Sequence, residues 1–220
     1  NFFFSSPTTF AYKFLVRGFS AARILIKAST GIVLFLFHSS LIVPLSAQPT
    51  IQWQKTLGGS TFKEIYSIQQ TTDGGFVMVG VTLSNNGDVS GNHGGFDFWV
   101  VKMTVAGDIQ WKKAYGGSNN DWPYSIQQTN DGGYIMTGLT MSNNGDVFGN
   151  HGDRDCWVVK LNEVGIIQWQ KTLGGSGADE AFSVKQTNDS GYIVAGSSGS
   201  NDGDVSGNHG YDDTWVVKLS

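Results

Sequence analysis

Three loops of this chain carry hard oxygen donors at the spacing of a twelve-position calcium-binding loop. Asp202, Asp204, Ser206 and Asp213 fall at positions 1, 3, 5 and 12, with Gly207 at position 6. Asn86, Asp88, Ser90 and Asp97 repeat the set around Gly91. Asn144, Asp146 and Asp155 repeat it around Gly149, although Phe148 stands where position 5 asks for an oxygen. Oxygen donors crowded on a Gly-bent loop suit Ca2+, which accepts six to eight oxygens in irregular geometry, so calcium is the cofactor these loops point to. Two features count against it. Position 12 is Asp, too short for easy bidentate contact, and only the third loop has a carboxylate at position 1. The structural alternative is a long hairpin loop in which Asn and Asp cap turns.

Other candidate groups are weaker. Trp53, Trp111 and Trp169 recur on what reads as an outer strand, where exposed indoles would offer a protein or glycan partner large contact area at low entropic cost; packing between repeats is the alternative. His93, His151 and His209 recur in register between Asn and Gly, one per repeat, which suits turn capping better than a shared metal site. Cys156 stands where the other copies have Phe98 and Thr214 and reads as a packed side chain. No Ser/His/Asp signature and no Gly-rich phosphate loop between strand and helix is present, so no catalytic residue is assigned.

The elements that must position these groups repeat. Ile51-Gln-Trp, Ile109-Gln-Trp and Ile167-Gln-Trp start successive copies of 58 residues, the signature of a solenoid, propeller or array. Each copy alternates apolar and polar residues in short runs between turn signals, giving four strands. In the first copy these are Ile51–Leu57, Tyr66–Thr71, Phe76–Thr82 and Phe98–Met103. Asp73-Gly74-Gly75, Asp131-Gly132-Gly133 and Asp189-Ser190-Gly191 close a tight hairpin between the second and third. Val77-Met78-Val79 is apolar on both faces, as expected for sheets stacked face to face. The expected fold is all-β: a propeller-type array of three four-stranded antiparallel blades over residues 48–220, after a leader over residues 1–47.

The unit Gly-Gly-Ser, Tyr-Ser-Ile-Gln-Gln-Thr, Asp-Gly-Gly-Tyr and Asp-x-Trp-Val-Val-Lys resembles the SBBP-type, and more distantly the NHL-type, β-propeller repeats of bacterial exported proteins. The resemblance spans Ile51 to Ser220 and concerns architecture; such repeats carry unrelated functions. It implies that the strand beginning at Tyr66 is innermost and the Ile-Gln-Trp strand outermost. Blades then run 65–115, 123–173 and 181–219, the last lacking its outer strand, and Ile51–Leu57 is a spare outer strand able to pair with the last blade. The calcium-type loops, flanked by strands, resemble those of FG-GAP propeller repeats. Propellers have about four to eight blades, so three blades call for further repeats, for other chains that share the ring, or for an open arc; the end at Ser220, directly after a strand, points to further repeats.

The leader has Lys13, Arg17, Arg23 and Lys27 and no acid, then an apolar run from Ile32 to Val43, then small residues for cleavage after Ala47. The run is shorter than the ~20 residues a membrane span needs. Secretion or display on a bacterial surface follows. After Ala47, ten Lys and Arg stand against 18 Asp and Glu, and the one arginine there is Arg154; phosphate neutralisation needs clustered bases, so a nucleic-acid partner is excluded. The function that follows is an exported, non-enzymatic binding or structural scaffold. Its alternative is a glycan-binding or glycan-active propeller using the loop carboxylates and outer tryptophans.

Overall fold

The computed structural model describes residues 48–220; the expected leader, residues 1–47, lies outside the described residues. No helix forms among the described residues. Eleven strands make three antiparallel sheets, each a simple meander. The first holds β1 (Lys63–Gln70), β2 (Phe76–Thr82), β3 (Asp97–Met103) and β4 (Ile109–Tyr115). The second holds β5 (Asp121–Gln128), β6 (Tyr134–Thr140), β7 (Asp155–Leu161) and β8 (Ile167–Leu173). The third has three strands: β9 (Asp179–Gln186), β10 (Tyr192–Ser198) and β11 (Asp213–Leu219). The array is all-β and blade-like, as the repeat predicts.

Stacking follows from strands that are apolar on both sides. Val77, Val79, Phe98 and Val100 of the first sheet form one core with Tyr134, Met136, Trp157 and Val159 of the second. Ile135, Cys156 and Val158, from the other face of the second sheet, form the next core with Val184, Tyr192 and Val194 of the third. Each fully buried Val or Ile contributes about 1.5–3 kcal/mol relative to exposure.

The inner strands β1, β5 and β9 approach one another, stitched by the Ser-Ile-Gln-Gln motif. Gln69 Oε1 accepts from the Gln128 amide at 2.7 Å, and Gln128 Oε1 accepts from the Thr72 amide at 2.8 Å. Gln127 and Gln186 repeat this between the second and third sheets. Side chains of one sheet thus satisfy the open backbone edge of the next. Bulges fall at Tyr66, Tyr124 and Phe182, where each register shifts. Facing them are Gly80, Gly138 and Gly196, where any Cβ would collide with the carbonyl of Glu64, Trp122 or Glu180. The bulged rings stack in a column, with centroids 5.8 Å apart for Tyr66 and Tyr124 and 5.2 Å for Tyr124 and Phe182.

One expectation needs correction. Ile51–Leu57 is not a strand and pairs with no sheet, although its seven residues are those of β8. A strand is made by the neighbour it bonds to, and among the described residues no strand pairs with that segment. The third blade lacks its outer strand, as the bounds 181–219 imply, and β11 has one neighbour.

Candidate functional site

The groups that recur most regularly converge where one sheet meets the next. Asp97 opens β3, Asp121 opens β5, and the Gly116-Gly117 turn after β4 lies between them. Asp97 is fully buried; its Oδ2 accepts from the His93 amide at 2.7 Å and from His93 Nδ1 at 2.8 Å. Asp121, also fully buried, accepts from the Gly117 amide at 2.7 Å, from Ser142 Oγ at 2.9 Å and from Thr140 Oγ1. Asp97 Oδ1 is buried without a partner. A Cβ placed on Gly116 would lie 2.5 Å from that atom and 2.6 Å from Asp121 Oδ2, so both carboxylates face the same bare α-carbon.

The next junction repeats the arrangement. Asp155 Oδ2 accepts from the His151 amide at 2.9 Å and from His151 Nδ1 at 2.6 Å. Asp179 accepts from the Gly175 amide, Ser200 Oγ and Ser198 Oγ. Asp155 Oδ1 is again unpartnered, beside Gly174 and Asp179.

Burial dominates the electrostatics. Loss of hydration pushes the Asp97 carboxyl up to about 6, against the pull of the His93 hydrogen bonds, with the Asp121 charge adding to the rise. Burial raises Asp155 and Asp121 as well. Among the described residues the exposed third copy behaves in the opposite way: the same His209 contacts lower Asp213, because little hydration is lost there. The Cys156 thiol is pushed far up by burial and neighbouring acids, which removes it as a nucleophile.

The remaining candidate calcium donors are turned elsewhere. Asn86 Oδ1 accepts from the Ser60 amide at 2.8 Å and Asp88 Oδ2 from the Gly58 amide at 3.1 Å. Asn144 and Asp146 hold the Ser118 and Gly116 amides, and Asp202 and Asp204 hold those of Ser176 and Gly174. Ser90, Ser206 and Phe148 are exposed. Each loop folds back on the Gly-Gly-Ser turn that precedes its blade, while Asp97, Asp155 and Asp213 bind histidine. Among the described residues no three His, Cys, Asp or Glu side chains come together as a metal site.

Trp111 and Trp169 sit between sheets, and Trp53 lies against the first sheet alone. Trp111 packs edge-on against Tyr134 at 5.7 Å and donates Nε1–H to the Glu163 carbonyl. Trp169 packs on Tyr192 at 5.5 Å, and Trp53 on Phe76 at 5.9 Å. Trp53 is 38% exposed. An open cleft of about 620 Å³ runs beside Trp169 and Tyr192, flanked by Lys171 and Lys218. The loop carboxylates do not line it.

Two recurring sets escaped the sequence reading. One is Asp121 and Asp179; they sit 58 residues apart, but the first copy has Lys63 there, which hides the period. The other is the lysine of Trp-Val-Val-Lys. Lys102 Nζ, nearly buried, donates to Asp73 at 2.8 Å, Gln110 Oε1 at 2.7 Å and the Met103 carbonyl at 3.1 Å. Lys160 does the same with Asp131, Gln168 and Leu161. Each lysine locks the Asp-Gly-Gly hairpin to the outer strand.

No family model and no curated protein matches the chain. A solved structure of a protein of unknown function from Bacteroides caccae is similar at TM-score 0.37 and 11% identity, over 63% of this chain and 40% of that one. The chain therefore spans two fifths of that protein, at a likeness that fixes neither fold nor function.

Proposed function

We propose that the chain is an exported, non-enzymatic β-propeller-type scaffold that serves binding or structural roles at the cell surface or outside the cell. One observation carries this reading. The polar side chains that recur every 58 residues end on backbone amides or on one another inside the sheet junctions, and do not converge on an open site. A nucleophile or acid–base pair needs access to substrate, and Asp97, Asp121, Asp155 and Asp179 are fully buried. The export pattern of the leader supports the location.

The test is a hydrolysis and binding screen over a broad glycan panel. No turnover is expected. Cleavage that disappears in Asp155→Asn or Asp213→Asn would overturn the scaffold reading in favour of a glycan-active enzyme. Calorimetry with Ca2+ up to millimolar concentration is expected to give no heat of binding; heat abolished by Asp204→Asn would restore the loops as metal sites.

The Trp169–Tyr192 cleft favours a second reading, glycan binding without hydrolysis, because aromatic faces beside lysines suit sugar rings and their hydroxyls. It predicts glycan-array binding that Trp169→Ala removes and Asp155→Asn leaves intact.

A further inference from the structure

In a repeat this regular the residues that depart from it stand out, and several meet at the junction of the first and second sheets. Phe96 packs on Trp122 with ring centroids 4.3 Å apart, and Phe62 meets Phe96 edge-on at 5.6 Å. Trp122 donates Nε1–H to Tyr66 Oη at 2.8 Å. Phe96 and Trp122 are half-buried. At the next junction the places of Phe96 and Trp122 are taken by Arg154 and Glu180, which pair through Arg154 Nε and Glu180 Oε1 at 2.7 Å. Both junctions are interior, with a sheet on each side. An ion pair closes the second, so stacking alone does not call for an aromatic cluster at the first.

A polar pocket of about 400 Å³ adjoins the rings, lined by Gly95, Ser118, Asn119, Asn120 and Asp153 among others. Asn120 Oδ1 accepts from the Phe96 amide at 3.2 Å, which ties the pocket wall to the aromatic cluster. Asn119 Nδ2 donates to the Met141 carbonyl at 2.9 Å, and Asp153 Oδ2 meets Arg154 Nη1 at 3.4 Å. Among the described residues, Asn119 Oδ1, Asn120 Nδ2 and Asp153 Oδ1 make no hydrogen bond to protein. The equivalents of the two asparagines at the next junction are Gly177 and Ala178, which carry no polar side chain. Aromatic rings beside a few unengaged amide and carboxylate groups match a neutral sugar. Its C–H faces pack on an indole, and its hydroxyls both donate and accept, so they serve acceptors and an amide donor together. No lysine, arginine or histidine lines the pocket, so an anionic ligand would meet Asp153 with nothing to neutralise it.

We propose that the junction between the first and second sheets binds a neutral carbohydrate, with Phe96 and Trp122 as the platform for a sugar ring and Asn119, Asn120 and Asp153 holding its hydroxyls. This rests on the reading of the chain as a binding module, gives that module a ligand class, and sets its site apart from the Trp169–Tyr192 cleft. The recurring polar groups hold the sheets together, and the residues found in one copy only supply the recognition.

The experiment is isothermal titration of the full chain with neutral oligosaccharides of glucose, xylose, mannose and N-acetylglucosamine, and with polygalacturonate as the anionic comparison. Saturable binding of at least one neutral oligosaccharide is expected, and none of polygalacturonate. Phe96→Arg combined with Trp122→Glu gives the first junction the ion pair that the second already holds. That variant should fold, as circular dichroism can check, and should weaken binding by about tenfold or more. Asn119→Gly combined with Asn120→Ala, the pair present at the second junction, should weaken it similarly while leaving the rings in place. Trp169→Ala should leave the affinity unchanged. Absence of binding to every neutral oligosaccharide overturns the proposal and leaves the scaffold reading standing. Binding that Trp169→Ala removes and both junction variants keep overturns it in favour of the cleft. Tighter binding of polygalacturonate than of any neutral oligosaccharide overturns the ligand class.

Discussion

Strands β7 and β11 differ at one residue of seven, Cys156 against Thr214, yet their physical states are opposite. Every residue of β7 is buried, while β11 alternates between half-buried and exposed. Lys160 is 4% exposed and Lys218 is 42%. The carboxyl that opens β7 is pushed up by lost hydration, and the one that opens β11 is pulled down by the same histidine contacts. Local sequence cannot cause the difference. Position in the stack does: β7 has a sheet on each side and β8 along its edge, whereas β11 has one sheet and one strand. Burial, lysine pairing and carboxyl titration are thus set by the neighbouring repeat.

The contrast can be broken by removing the same side chain from each copy. Trp157→Ala empties a fully buried site and should cost about 3–5 kcal/mol, read as a fall in the denaturant midpoint. Trp215→Ala should cost clearly less, because Trp215 is only partly buried. Equal losses would mean that stacking does not set burial.

A smaller effect is expected at the lysines. Lys160→Met removes the hydrogen bonds to Asp131, Gln168 and the Leu161 carbonyl and leaves the last two without their donor, a loss of about 1–3 kcal/mol. Lys218→Met should be close to neutral, since exposed ion pairs contribute about 0–1 kcal/mol. The readout is the difference between the two melting temperatures.

The smallest effect concerns the hairpin turn. Gly74 and Gly132 adopt φ of 79° and 82°, but the third copy holds Ser190 at 66°. A left-handed non-glycine residue costs about 1–2 kcal/mol, offset in part by the chain entropy glycine adds to the unfolded state. Ser190→Gly should therefore stabilise by less than about 1 kcal/mol, while Gly132→Ser destabilises by a similar amount.

Much of the architecture is written in short-range signals. The Asp-Gly-Gly turns, the 58-residue spacing and runs such as Val77-Met78-Val79 specify hairpins and stacked sheets, because turn geometry and two-sided burial are local demands. Ile51–Leu57 shows where that stops. It reads as a strand, and the identical β8 is one, but a strand depends on a partner that spacing alone does not supply. The loop donors show a related limit. Offsets along a loop say which residues have oxygens, whereas the backbone amides of Gly58, Ser60 and their equivalents decide where those oxygens point. The buried role of Lys102 was hidden because a lysine at a strand end ordinarily faces water. The Asp97–Asp121 pairing was hidden because its two members belong to different repeats.

These buried carboxylates also set a pH dependence. Asp97 binds its proton more tightly folded than unfolded, so its contribution to stability is present below the ordinary value of 3.8 and is lost as pH rises through about 6. Asp131 runs the other way. Partial burial pushes it up, but hydrogen bonds from Lys160, Thr129 and the Gly133 amide prevail and hold it near 2; its contribution is present above 3.8 and is lost as pH falls toward that value.

Carbon-13 NMR titration of the aspartate carboxyls tests most directly whether stacked repeats govern the chemistry of identical residues. Asp97 should titrate near 6 and Asp155 above the ordinary carboxylate range, with Asp213 below it. If the three carboxyls titrate together at an ordinary value, the inner junctions are not dry, and the stacking that buries β3 and β7 does not exist in solution.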